Sequence, residues 1–163
     1  MVFKKIINDP YKVVDEMVDG IVLAHHNILR FANNNKRAVV RKDAPIKDKV
    51  GILIGGGSGH EPAFVGYVGK GLADGAAIGN VFASPSPDPV VDATKAISGG
   101  KGVVYMYGNY AGDIMNFDMA AELCVAENIP VKTVLVTDDI ASAAIDNKKD
   151  RRGVAGVFFV FKI

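Results

Sequence analysis

The residues best suited to chemistry lie in the run Gly55-Gly56-Gly57-Ser58-Gly59-His60-Glu61-Pro62, with a carboxylate further on in Asn109-Tyr110-Ala111-Gly112-Asp113. His60 can take or give a proton near neutral pH. A neutral imidazole and a carboxylate can together accept a hydroxyl proton and hold its donor in place. Spacing excludes several familiar sites. No Lys-Ser/Thr pair follows the glycines, so they form no Walker A loop, and His60 stands where G-x-G-x-x-G needs its last glycine. Gly56-Gly57-Ser58-Gly59-His60 likewise has histidine where a nucleophile elbow needs glycine. Pro62-Ala63-Phe64 after Glu61 rules out the zinc motif H-E-x-x-H. What remains is a set of backbone N–H groups at an expected helix N-terminus, suited to ligand oxygens. The alternative is a purely structural strand-to-helix turn.

These groups need a scaffold that brings separate loops to one place. Val50-Gly51-Ile52-Leu53-Ile54 reads as a buried strand leading into the glycines, whose freedom would let the backbone turn sharply and approach a ligand. Pro62 reads as the first residue of a helix, with Ala63 to Val68 a short helix ended by Gly69 and Gly71. The second loop follows a buried strand, Gly102 to Tyr107. Asp113 reads there as the cap of a helix with Ile114, Phe117, Ala121 and Cys124 on one face. Further strands are expected at Ala38–Val40, Ala76–Ile78 and Val131–Val136. Asp9-Pro10 opens an amphipathic helix that Val14, Met17, Val18, Ile21, His25 and Ile28 carry to about Phe31. Ser84 to Pro89 reads as a turn and helix start, with helix from Val90 to Ile97, and Thr137 to Arg152 as a polar loop.

Alternating strands and helices predict an α/β fold: a three-layer sandwich with a mostly parallel central sheet and helices on both faces. Loops after parallel strands open on one edge. His60 and Asp113 are therefore expected to face one pocket. Ser84 and Asp88 arrive there from a third loop, with turn and capping roles as their default.

Composition narrows the function class. At 163 residues the chain can build one domain with its own core. A net charge of +1 gives no support for a nucleic-acid partner. Two basic runs, Lys36-Arg37 with Arg41-Lys42 and Lys148-Lys149-Asp150-Arg151-Arg152, lack the interleaved aromatics that stack bases and read as solvated surface, with a phosphoprotein or nucleotide-bearing partner as the alternative. The single cysteine, Cys124, excludes an internal disulfide, points to a reduced, cytoplasmic setting and reads as a core thiol. His25 and His26 would point about 100° apart on a helix and cannot share a metal well, so no metal site is predicted. No apolar run reaches membrane-spanning length, and Met1 to Lys5 lacks a following signal-peptide block. Val154 to Ile163 contains Phe158-Phe159-Val160-Phe161, which has strand propensity, and ends without a capping or turn residue, as though cut through an element.

Several segments then match one family in order. Ile7-Asn8-Asp9-Pro10, Val40 to Pro45, Gly55 to Pro62, Gly66 to Gly71, Ser84 to Asp88, Asn109 to Phe117 and Arg151 to Gly156 together resemble the dihydroxyacetone-binding (K) domain of dihydroxyacetone kinases, over nearly the whole chain. The resemblance implies a transferase that phosphorylates dihydroxyacetone or a close short-chain ketose, in glycerol metabolism. It implies Gly57, Ser58, His60 and Asp113 as substrate-binding residues, with His60 and Asp113 the catalytic acid–base pair. It places the nucleotide on a separate subunit or domain rather than on this chain: ATP, or ADP rephosphorylated by phosphotransferase-system proteins, with Mg2+. It also implies a homodimer, and a helix from Val154 onward against local propensity.

Family members carry a further histidine that bonds covalently to the substrate carbonyl, in the second half of the domain. None of His25, His26 and His60 matches it. Residues 1–163 thus resemble the N-terminal half of a K domain, expected to be inactive alone. Gly108 stands where many members have lysine, and Ala141 to Asp150 differs from the commonest form. Two alternatives stay open: a kinase for a four-carbon ketose such as erythrulose, and a non-catalytic ketose sensor that regulates a partner.

Overall fold

The computed structural model describes residues 6–162. Its elements are α1 (Val13–Ala24), β1 (Leu29–Ala32), β2 (Asn35–Arg41), β3 (Gly51–Ser58), β4 (Gly75–Val81), α2 (Pro87–Ile97), β5 (Val103–Gly108), α3 (Ala111–Ala126), β6 (Val131–Val136) and α4 (Gly156–Lys162). Short 3-10 segments lie at Val65–Tyr67 and Ile145–Asp150. The strands form one sheet in the order β1-β2-β4-β3-β5-β6. β3, β4, β5 and β6 run parallel, while β2 is antiparallel to β4 and β1 to β2. The central strands read as near-continuous apolar runs because both sheet faces are covered. On one face Val14, Val18 and Val22 of α1, with Val157 and Phe161 of α4, pack on Val39, Ile54 and Ile78. On the other, Val90, Ala93 and Ile97 of α2 and Phe117 and Ala120 of α3 cover Leu53, Ala77, Tyr105 and Tyr107. The expected three-layer, mostly parallel α/β arrangement is the observed one.

Several local expectations need correction. The first helix stops at Ala24, and Leu29 to Ala32 form a strand paired with β2. The steps expected past Ala24, His25 and Ile28, are exposed, and Leu29 and Ala32 are buried in the strand instead. Asn33 and Asn34, with φ of 48° and 61°, make the tight hairpin turn between β1 and β2. His25 and His26 lie just beyond the helix and are exposed, and Cys124 is a fully buried core thiol.

The glycine run is not a loop. Gly55, Gly56 and Gly57 continue β3, pairing with Ala77, Ile78 and Gly79 of β4. Glycine is required because a Cβ at Gly55 would lie 2.6 Å from the Ala77 carbonyl oxygen and 2.8 Å from the Phe117 ring, and one at Gly56 would lie 2.3 Å from Phe64. No α-helix begins at Pro62; a turn over residues 61–64 precedes the single 3-10 turn. The backbone N–H groups expected at a helix start there are therefore not presented as a helix terminus. At the other end, Gly156–Lys162 is helical, as the resemblance implies, and Ile163 lies outside the described residues. Val157 and Phe161, four apart, bury one helix face, and that packing overrides the strand propensity of the segment.

Arg41 is not solvated surface. At the N-terminal rim of the parallel strands its Nη1 donates to Asp74 Oδ1 at 2.9 Å, and its Nε and Nη2 bind Asp43 at 2.9 and 2.7 Å. Lys49 Nζ and the Ile52 N–H also bind the Asp74 carboxylate, the latter at 2.9 Å. The buried Asp74 thus ties together the starts of β3 and β4.

Candidate functional site

Because β3, β4 and β5 run parallel, the segments that leave them share one rim. They bring His60, Ser84 and Asp113 to a cavity of about 570 Å3, bordered also by Gly56, Gly57, Gly108 and Gly112. The remaining wall is apolar: Phe64, Phe82, Tyr110, Val154, Val157 and Phe158. Asp88, in the first turn of α2, is not among the lining residues.

His60 follows the end of β3. Its Nδ1 lies 2.7 Å from the carbonyl oxygen of Gly57. A carbonyl only accepts, so Nδ1 carries the proton, and in the neutral imidazole Nε2 is left as the free acceptor. The turn is shaped by Glu61, whose carboxylate accepts the Gly59 N–H at 2.9 and 3.2 Å. The Phe82 ring meets the imidazole edge-on, with centroids 5.2 Å apart. Phe82 holds φ at 51°, a costly conformation for a bulky residue, and its N–H donates to Ser58 O at 2.8 Å.

Asp113 is not the cap of α3. Tyr110 takes that position and Asp113 is the third helical residue, so its side chain turns toward the cavity rim. Its Oδ1 is buried without a protein partner. Burial pushes its carboxyl above the usual carboxylate range, and the Ser84 hydroxyl and His60 pull back less strongly. A carboxylate held this way is a stronger base than one in water.

The apolar wall is hung on the residue before Tyr110. Asn109, itself buried, donates from Nδ2 to the carbonyls of Lys149 and Arg151 at 3.0 and 2.8 Å. Arg152 returns a bond to Asn109 O at 3.2 Å and lays its guanidinium 5.4 Å from the centre of the Tyr110 ring. Asp138 then caps α4 by accepting the Val154 and Gly156 N–H groups at 2.8 and 2.7 Å.

Of the residues anticipated at the site, Gly57, His60 and Asp113 are brought together. Ser58 is not. Its hydroxyl is buried and donates to Gly79 O at 2.9 Å, because β3 runs four residues further than expected, to Ser58, across a register shift after Gly57. Ser58 borders instead a smaller apolar cavity of about 260 Å3 against α1. Sequence reasoning missed Phe82, Phe64 and the α4 wall. It singled out Asn109 and Tyr110 only as part of a motif. Among the described residues no cluster of His, Cys, Asp and Glu could hold a metal ion, and no helix is long and apolar enough to cross a membrane.

Comparison with known proteins gives the relatives of this chain. The profile of the Dak1 domain matches residues 19–163. A PTS-dependent dihydroxyacetone kinase 2, dihydroxyacetone-binding subunit DhaK, from Listeria innocua is 55% identical over 98% of this chain and 47% of its own length. The crystal structure of the dihydroxyacetone kinase of C. freundii superposes with a TM-score of 0.88 at 39% identity, over 99% of this chain and 30% of that one. A dihydroxyacetone kinase operon co-activator, Dha-DhaQ, has a TM-score of 0.81 at 34% identity, over 91% of this chain and 45% of the co-activator. The chain spans about half the length of the curated relatives it matches.

Proposed function

The chain belongs to the Dak1 domain family, and from that premise we propose that its cavity binds dihydroxyacetone, or a close short-chain ketose, and presents one hydroxyl for phosphorylation by a nucleotide-carrying partner subunit or domain. The observation that carries this reading is that His60, Ser84 and Asp113, with one carboxyl oxygen of Asp113 buried, border one cavity whose other walls are mostly glycine backbone and apolar side chains. A small neutral polyol needs such a set: two polar groups to fix its hydroxyls and a dry wall for its carbon face.

In this reading Asp113 accepts the proton of the reacting hydroxyl as that oxygen takes the phosphoryl group. His60, fixed through Gly57 O, accepts a hydrogen bond from a substrate hydroxyl and shares the proton. Gly57 contributes the close backbone approach. The lining includes one carboxylate and no lysine or arginine, which does not suit a nucleotide with its Mg2+. The phosphoryl donor therefore belongs to the partner, as ATP or as ADP recharged by phosphotransferase-system proteins. The same reading makes residues 1–163 the N-terminal half of a K domain in a longer cytoplasmic, homodimeric protein. The second half of that domain supplies the covalent histidine. The cavity volume also admits a four-carbon ketose such as erythrulose.

The likeness to an operon co-activator favours a second reading, a ketose sensor without turnover. Phosphoryl transfer measured on the full-length protein with its nucleotide-carrying partner separates the two. His60→Ala and Asp113→Asn are expected to lower transfer by about 10²–10⁴-fold with the fold intact. Unchanged turnover in both variants removes the acid–base assignment. Ketose binding without transfer in the unsubstituted protein gives the sensor.

A further inference from the structure

The turn that follows β4 touches the groups that matter on both sides of the cavity. Phe82 packs on His60, while Ser84 stands against the first turn of α3, with its Cβ 3.4 Å from where a Cβ on Gly112 would lie. The turn has little freedom to move. Cβ atoms at Gly57 and Gly79 would lie 2.6 and 1.9 Å from the Ala83 backbone, so it sits directly on both strands. From α3, Asn116 Nδ2 donates to Pro85 O at 2.8 Å and to Ser84 Oγ at 3.3 Å. Asn116 lies one helical turn beyond Asp113, on the same side of α3.

We propose that Ser84, held by Asn116, is a positioning residue for Asp113: its hydroxyl donates to the Asp113 carboxylate and keeps that group ionised and aimed at the reacting hydroxyl. The donation has a clear origin. Asn116 occupies a lone pair of Ser84 Oγ, so the serine proton must point elsewhere. Its present acceptor, Pro85 O, is 3.3 Å away, a long and weak bond for a hydroxyl. Asp113 Oδ1 is the buried acceptor nearby that has no partner. The other titratable groups that bear on Asp113 are His60 from the end of β3 and Tyr107 from β5. Arg152 is drawn instead over the Tyr110 ring. Ser84 is thus the neutral donor that balances the burial of the carboxylate.

The proposal rests on Asp113 acting as the base, and its test is read without turnover. Carbon-detected NMR follows the titration of the Asp113 carboxyl in the full-length protein. A hydrogen bond to a charged group is worth about one pKa unit, so Ser84→Ala should raise the Asp113 midpoint by about one unit. Asn116→Ala should raise it by less, and Ser84→Thr should restore it. The acidic limb of the pH–rate profile for phosphoryl transfer should move up with the midpoint. An unmoved midpoint in either alanine variant overturns the proposal. Asn116→Ala leaves the turn sequence intact, so it decides the matter if Ser84→Ala does not fold. Loss of the base assignment would appear separately, as full turnover in Asp113→Asn.

Discussion

Replacing Asp113 with asparagine should stabilise the fold while it removes the proposed base. Burial disfavours the Asp113 carboxylate by more than the Ser84 hydroxyl and His60 favour it. Burying a polar group beyond what its bonds return costs about 1–3 kcal/mol. Against this, Asp113 is the third residue of α3, where the helix dipole favours a carboxylate by about 0.3–1 kcal/mol. The balance is a penalty of about 1 kcal/mol on the ionised form that a neutral amide avoids. For a chain of 163 residues that is about 2–4 °C in Tm. The pH dependence follows from the direction of the shift. Burial raises the folded-state pKa of Asp113 above the unfolded value of about 3.9. The native protein therefore has the full contribution of protonated Asp113 below the unfolded pKa, and loses it as pH rises through the folded one. Melting curves by circular dichroism should show the asparagine variant more stable at about pH 7.5 and no different near pH 4, within the span set by that linkage. An equal gain at both pH values, or a loss at the higher one, would refute the reasoning, because the ionised carboxyl would then be no worse off in the fold than in water.

Two further outcomes test the scaffold. Asp74→Ala strands Arg41, whose side chain is 8% exposed, and should cost about 3 kcal/mol in urea unfolding; a change below about 1 kcal/mol would show Asp43 alone to suffice. Gly55→Ala should cost about 1–3 kcal/mol, because its Cβ meets a backbone carbonyl that cannot move away. Gly56→Ala meets only the Phe64 ring, so it should cost less stability yet weaken ketose binding, measured by calorimetry on the full-length protein. Equal stability losses in the two glycine variants would contradict that distinction.

The layers and the shared rim were legible in the sequence for a simple reason. Runs such as Val103-Val104-Tyr105-Met106-Tyr107 bury both faces, and Ile114, Phe117, Ala121 and Cys124 recur at helical steps, so period and length named these elements, although Ala120 rather than Ala121 is the buried alanine. The end of α1 lies earlier than expected because His25 and Ile28 keep the helical spacing but are exposed, and the buried positions Leu29 and Ala32 belong to the strand. The decisive signal was present in Asn33-Asn34, a pair suited to the positive φ of a tight hairpin. Gly55 to Gly57 misled more deeply. Glycine has low strand propensity, and nothing adjacent in sequence reveals that Phe64, Phe117 and the Ala77 carbonyl press on these positions. Extending the strand by these residues is also what withdrew the Ser58 hydroxyl from the site.

His60 and Asp113 could be paired from topology alone, since both follow parallel strands. Topology does not say what lines the space between them. That depends on Phe82, held at positive φ, and on Val154, Val157 and Phe158, fastened through Asn109 to a segment 40 and 42 residues further along the chain. On an open rim the Asp113 carboxylate would be hydrated and would keep an ordinary acidity. Burial raises its basicity, and the cavity beside it is lined mostly by glycine and apolar side chains. The segment from Gly153 to Phe158 is therefore as much a part of the candidate site as the imidazole. A substitution that loosens it, such as Asn109→Ala, acts on the proton acceptor without touching it.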